Sequence, residues 1–141
     1  MVNLFLGPTH DLSFLYNDEE AMRVTPQEIA TFIMQDEIVA VYNGRSEAGP
    51  RALGNRSILY DPRDINTKET INKVKKRERF RPFAAAVLKD HANQWFDMSG
   101  LNRSPTMSYA VHTREDKKQL IPGVVHIAVS YTHLTLPTRR G

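Results

Sequence analysis

Ile38-Val39-Ala40-Val41-Tyr42-Asn43-Gly44-Arg45-Ser46-Glu47-Ala48-Gly49-Pro50-Arg51-Ala52-Leu53-Gly54-Asn55-Arg56-Ser57-Ile58-Leu59-Tyr60 reads as strand, loop, strand. Ile38–Tyr42 is an apolar run of strand length, and Ser57–Tyr60 is a second, stopped by Asp61-Pro62. The loop between them holds Gly44, Gly49 and Gly54, Arg45, Arg51 and Arg56, and one proline, Pro50. Glycines let backbone N–H groups approach an anion, and an arginine fork grips two phosphate or carboxylate oxygens at once. Gly49 and Gly54 have P-loop spacing, but Asn55-Arg56 stands where Lys-Ser/Thr belongs, and Pro50 lacks a donor. This is therefore not a Walker loop. The anion-binding candidates here are Arg45, Arg51, Gly54, Asn55 and Arg56; an arginine-rich structural turn is the competing explanation.

Working outward, residues 7–20 read as a surface connection. Thr25-Pro26-Gln27-Glu28 is a helix start, with Thr25 as cap, Pro26 in the first turn and Glu28 completing a capping box. Ile29, Phe32 and Ile33 give this helix an apolar face, and it should stop near Gln35. Downstream, Asp64 is expected to cap a second helix with apolar positions Ile65, Ile71 and Val74. Phe83–Leu88 reads as a strand, Asp90–Phe96 as a short helix with Trp95 and Phe96 in the core, and Tyr109–His112 and Val124–Ile127 as further strands. Strands alternating with helices predict an α/β domain.

The chain has 141 residues and no cysteine, which leaves room for one domain and excludes a disulfide scaffold, a cysteine zinc site and a thiol nucleophile. No apolar run approaches the ~20 residues of a membrane span, and no secretory leader is evident, so a cytoplasmic protein with no membrane partner is expected. The net charge is +3, but residues 45–81 hold 11 of the 19 Lys/Arg and only 5 of the 16 Asp/Glu. Such a block suits an anionic ligand, phosphate or nucleic acid, or a solvated helix face.

Part of that block is Lys73-Val74-Lys75-Lys76-Arg77-Glu78-Arg79-Phe80-Arg81-Pro82-Phe83. Arg81 stands out because Phe80, Pro82 and Phe83 should hold its backbone rigid, whereas Arg77 is assigned to solvent. Lys75 is a point-charge phosphate candidate, and Lys73 or Lys76 would serve equally on composition. His10, His91, His112, His126 and His133 have no metal-ligand spacing, and Asp61 and Asp64 bend and cap the chain. No metal site is assigned. Phe80 and Phe83 among basic residues could stack nucleic-acid bases, but no RNP, KH or zinc-finger pattern is present.

Gly44-Arg45-x-Glu47-x-Gly49-Pro50-Arg51-Ala52-Leu53-Gly54-Asn55-Arg56-Ser57-Ile58-Leu59 resembles the signature of the NodU/CmcH-type O-carbamoyltransferases. Asp61-Pro62-Arg63-Asp64, Asn72-Lys73-x-Lys75, Arg79-Phe80-Arg81-Pro82-Phe83-Ala84 and Gln119-Leu120-Ile121-Pro122-Gly123-Val124-Val125-His126 are similar to it in order and spacing. The resemblance implies a YrdC-like C-terminal domain, a twisted mixed sheet with flanking helices, which is incomplete here over residues 1–129. In such enzymes this domain joins carbamoyl phosphate and ATP as carbamoyl adenylate, with magnesium expected on the ATP. An ASKHA-type N-terminal domain, where iron is expected, then passes the carbamoyl group to a hydroxyl acceptor. The family's anion-binding roles carry over to Arg51, Lys75 and Arg81, with Lys75 and Arg81 at the reacting phosphates, and Arg45 and Arg56 remain candidates. From Ile127 the family's continuation is missing. Residues 130–141 are accordingly expected to be an unrelated, unstructured tail, and the fragment to be inactive alone. An RNA-binding module using the same basic groove is the alternative function, although nucleic acid is not the expected partner.

Overall fold

In the computed structural model, which describes residues 6–126 and the backbone of 132–135, Thr25 opens α1 (Pro26–Met34) as its sequence predicts. The Thr25 hydroxyl oxygen accepts the Glu28 amide at 3.3 Å, and the Glu28 carboxylate accepts the Thr25 amide at 2.7 Å. These reciprocal bonds satisfy two donors that a helix start otherwise leaves open.

The expectation of an α/β chain holds. The chain forms two compact units, Met1–Tyr60 and Asp61–Gly141.

The first unit contains β1 (Leu6–Thr9), a 3-10 turn (Ser13–Asn17), α1, β2 (Val39–Tyr42), β3 (Arg45–Glu47) and β4 (Arg56–Leu59). β2 and β4 pair antiparallel from Val39↔Leu59 to Tyr42↔Arg56, so the two strands expected to flank the loop are neighbours. β1 and β3 pair antiparallel, Leu6 with Glu47 and Thr9 with Arg45, across an irregularity. All of β1 but Leu6 falls within the stretch read as a connection. Its partner β3 supplies the reason: Arg45 Nε and Nη2 donate to the carbonyls of Gly7 and Leu6 at 2.7 and 3.0 Å. Such bonds across nearly forty residues leave no local periodicity.

The second unit contains α2 (Thr67–Val74), β5 (Ala84–Ala86), α3 (Ala92–Trp95), β6 (Phe96–Asp97), β7 (Ala110–Thr113) and β8 (Thr132–Thr135), with 3-10 turns at Lys89–His91, Glu115–Lys117 and Pro122–Val124. Its sheet runs β5-β8-β7-β6 and is mixed, with β5 and β8 parallel and the other pairs antiparallel. β8 lies in the segment expected to be an unstructured tail; four of those residues are instead a paired strand, and the rest of 130–141 lies outside the described residues. The core is Ala92, Phe96, Met98, Val111, Ile121 and Val124, with Trp95 packed against it.

Two departures from expectation have a visible cause. α2 starts after Asn66 rather than at Asp64, because Asp64 Oδ1 accepts the Asn66 amide in a turn of its own and the buried Thr67 hydroxyl shares its one hydrogen between the Asp61 and Asp64 carbonyls. The buried stripe of α2 then becomes Thr67, Ile71 and Asn72, leaving Ile65 and Val74 exposed. Val124 ends a 3-10 turn rather than starting a strand, because the Gly123 amide donates to the Pro62 carbonyl at 2.9 Å and draws the segment onto α2. Ile127, the end of that expected strand, lies outside the described residues.

Candidate anion-binding site

The loop of the first unit is built around a carboxylate. Glu47, at the end of β3, accepts the Leu53 amide at 2.8 Å and the Asn55 amide at 2.6 Å on one oxygen, Oε1. The Gly54 amide between them donates to Ser57 Oγ at 2.9 Å. Gly54 has φ +100°, a conformation that a side chain would strain. The Leu53, Gly54 and Asn55 amides are therefore occupied, two by the Glu47 carboxylate and one by the Ser57 hydroxyl.

The three arginines divide by role. Arg45 is bonded to the β1 carbonyls described above. Arg56 donates through Nη1 to the Asn43 and Asn55 carbonyls, at 2.5 and 2.9 Å, and lies 3.6 Å over the Tyr42 ring. Both tie the loop to its strands. Arg51 is exposed and makes no hydrogen bond or ion pair with a described residue. A cation on an internally bonded loop keeps its charge available for a ligand.

In the second unit the basic turn follows α2. Lys75 sits at the helix C-cap, and Lys76 adopts φ +49°. Lys73, Lys75 and Lys76 are all exposed, and none of their ammonium groups pairs with a described residue. Arg81 is half exposed, with Nε 2.9 Å from the equally exposed Glu78 Oε2. A surface pair of this kind is worth about 0–1 kcal/mol, so an entering phosphate can replace Glu78 at small cost. Arg79 pairs with Glu69 at 3.1 Å, also at the surface.

Arg77, assigned to solvent from sequence, is instead part of the framework. Its Nε donates to Asn72 Oδ1 at 2.5 Å, and its guanidinium lies 4.7 Å over the Phe83 ring. Burial first, and the neighbouring Arg81 charge second, push the Arg77 guanidinium below its ordinary pKa. Phe80, expected to brace Arg81, is 80% exposed. What holds the Arg81 backbone is Asn72, whose Nδ2 donates to the Arg79 and Arg81 carbonyls, both at 3.0 Å.

The structure thus gathers Arg45, Arg51, Gly54, Asn55 and Arg56 on one loop of the first unit, and Lys75 and Arg81 on one turn of the second. Sequence reasoning assigned no role to Glu47 or Asn72. Each had a signal: an acid inside a basic loop, and an amide beside Ile71 on a helix otherwise lined by charges. Asp61, expected to bend the chain, is buried and bonded to Arg63, with Arg63 Nε 2.9 Å from both carboxylate oxygens. Among the described residues no three His, Asp or Glu side chains converge as metal ligands, and no helix is long and apolar enough to cross a membrane.

Comparison with known proteins covers both basic segments. The family described as carbamoyltransferase C-terminus matches residues 30–137, more than half of the chain. The chain is 46% identical over 100 residues to nodulation protein NolNO of Sinorhizobium fredii, covering 70% of this chain and 15% of that protein. It is 42% identical over 100 residues to nodulation protein NolO of Bradyrhizobium diazoefficiens, covering 70% and 18%. Nodulation protein U of the same organism is 34% identical over 125 residues, covering 89% and 22%. The chain spans about a sixth to a fifth of the length of these curated relatives.

Proposed function

Because this chain belongs to the carbamoyltransferase C-terminus family, we propose that its basic segments each bind phosphate groups of carbamoyl phosphate or ATP, substrates whose conversion to carbamoyl adenylate consumes one water and releases phosphate and pyrophosphate. The observation that carries this reading is the state of the cations. Arg51 and Lys75 make no pair with a described residue, and Arg81 pairs only with an exposed carboxylate, while Arg45, Arg56 and Arg77 hold the scaffold. Two polyanionic substrates repel each other, and fixed cations that screen this repulsion favour attack at the α-phosphorus. The protein need move few protons, so no general base is assigned. Magnesium arrives on the triphosphate in this reading, and no step is assigned to it on this chain. The carbamoyl group then passes to a hydroxyl acceptor on another part of a longer enzyme, an ASKHA-type domain.

The test is ATP binding by the 141-residue chain, with carbamoyl phosphate present, measured by calorimetry. Arg51→Ala, Lys75→Ala and Arg81→Ala should each weaken binding roughly ten- to a hundred-fold, the usual worth of one charge-assisted contact. Arg81→Lys should stay impaired, because an ammonium cannot reproduce the planar fork. Lys73→Ala should leave affinity unchanged; equal damage there would reduce the effect to bulk charge and overturn the site. RNA bound more tightly than ATP, with affinity falling steeply with salt, would replace the reading with a nucleic-acid groove.

A further inference from the structure

Asn72 has no exposed surface, and its position on the inner stripe of α2 is one where an apolar side chain would ordinarily pack. Its carboxamide instead works as a three-way junction. Nδ2 spans the Arg79 and Arg81 carbonyls, Oδ1 receives Nε of Arg77, and the Asn72 backbone carbonyl accepts the Arg77 amide at 3.1 Å. Only one orientation of the amide satisfies all three side-chain bonds. Aspartate would lose both donors, and serine or threonine has a single hydroxyl hydrogen to offer two carbonyls. The junction also keeps Arg77 and Arg81 on one short turn, where burial and the Arg81 charge both act against the Arg77 cation. Held this way, the turn carries more positive charge than the Glu78 and Glu69 carboxylates balance.

We propose that Asn72 is the positioning residue of the anion site. By clamping the backbone at residues 79 and 81 and the guanidinium of Arg77, it makes Lys75 and Arg81 leave a turn of fixed shape. The proposal rests on reading Lys75 and Arg81 as the phosphate-binding cations. A preorganised turn spares the ligand the cost of ordering it, so its loss appears as weaker binding and a freer Arg81.

The experiment uses the 141-residue chain and two readouts: ATP affinity with carbamoyl phosphate present, and the Arg81 side-chain Nε–H resonance in nitrogen-15 NMR. Asn72→Asp keeps the acceptor toward Arg77 and removes both donors. It should bind ATP about ten-fold more weakly and broaden or shift the Arg81 resonance, while Lys73→Ala changes neither. Folded Asn72→Asp with wild-type affinity and an unmoved Arg81 resonance would overturn the proposal. If that variant does not fold, Arg77→Gln decides, since it leaves the Asn72 donors in place. A moved Arg81 resonance and several-fold weaker binding support the positioning role, and an unmoved resonance overturns it. If the wild-type chain binds no ATP, the nucleotide reading fails by itself, and the Arg81 resonance alone judges Asn72.

Discussion

Gly123 has no room for a methyl group. A Cβ there would lie 2.5 Å from Thr67 Oγ1, 2.7 Å from Thr67 Cβ and 2.9 Å from the Pro62 carbonyl oxygen. Since Thr67 is buried and bonded to two carbonyls, neither neighbour can yield cheaply. Gly123→Ala should destabilise the chain by about 1–3 kcal/mol, the usual cost of overpacking, as measured by urea denaturation. An unchanged midpoint would show that the turn slides away from α2. Nearby, hydrogen bonds from Arg63 hold the Asp61 carboxyl below its ordinary pKa of 3.8. A carboxylate with a lowered folded pKa stabilises the fold above its unfolded pKa and loses that contribution as pH falls through the folded value. Wild-type stability should therefore decline below about pH 4. Asp61→Asn should be less stable at pH 7 by about 1–3 kcal/mol and flatter through the acid range; parallel acid curves would exclude Asp61 as a contributor. At this scale the sequence located the cations but not their partners. Arg45, Arg51 and Arg56 have the same side chain and similar spacing, and only tertiary carbonyls 13 to 39 residues away decide which of them is tied down.

Among the elements, α1 was legible because its signals are local: cap, proline and glutamate lie within four residues and bond to one another. Thr25→Ala should cost about 1 kcal/mol, read from the denaturation midpoint; no shift would mean that the helix is held by packing alone. β2 and β4 were legible by their apolar runs. α2 was found, yet its start was misplaced, since Asp64 and Thr67 are both competent turn-closers and the buried hydroxyl prevails. β8 reads as Thr-His-Leu-Thr, with no strand periodicity to distinguish it from a loop, and it owes its extended backbone to β5 and β7 on either side. Val124-Val125 has the composition of a strand, but Pro122-Gly123 fixes the preceding turn against Pro62.

For the whole molecule, length predicted one domain because 141 residues rarely supply two cores. The structure reconciles this with two units by placing its buried residues unevenly. Every described residue classed as buried, apolar or polar, belongs to Asp61–Gly141. Amide hydrogen exchange should therefore be slower around Phe96, Val111 and Val124 than anywhere in residues 6–60, and equal protection in both units would contradict that distribution. On the functional side, the chain spans 15–22% of the relatives compared above. The purified 141-residue chain, supplied with carbamoyl phosphate, ATP and a hydroxyl acceptor, is expected to form no carbamoylated product. Product formation would show that transfer needs nothing more than this segment.

Residues near the start of the second unit are stitched to residues some sixty positions later: the Gly123 amide to the Pro62 carbonyl at 2.9 Å, and Lys68 Nζ to the Val125 carbonyl at 2.8 Å. On a growing chain these partners are made far apart in time. At synthesis rates of about 5–20 residues per second, Val125 follows Tyr60 by about 3–13 s. Throughout that interval the first unit is complete in sequence while the second lacks its closing stitches. Loop closure over some sixty residues is a slow, entropy-limited event. The Pro62 carbonyl and the Lys68 ammonium thus wait for partners until Gly123 and Val125 are made, and α2 is held only by its local bonds to Asp61 and Asp64 until then.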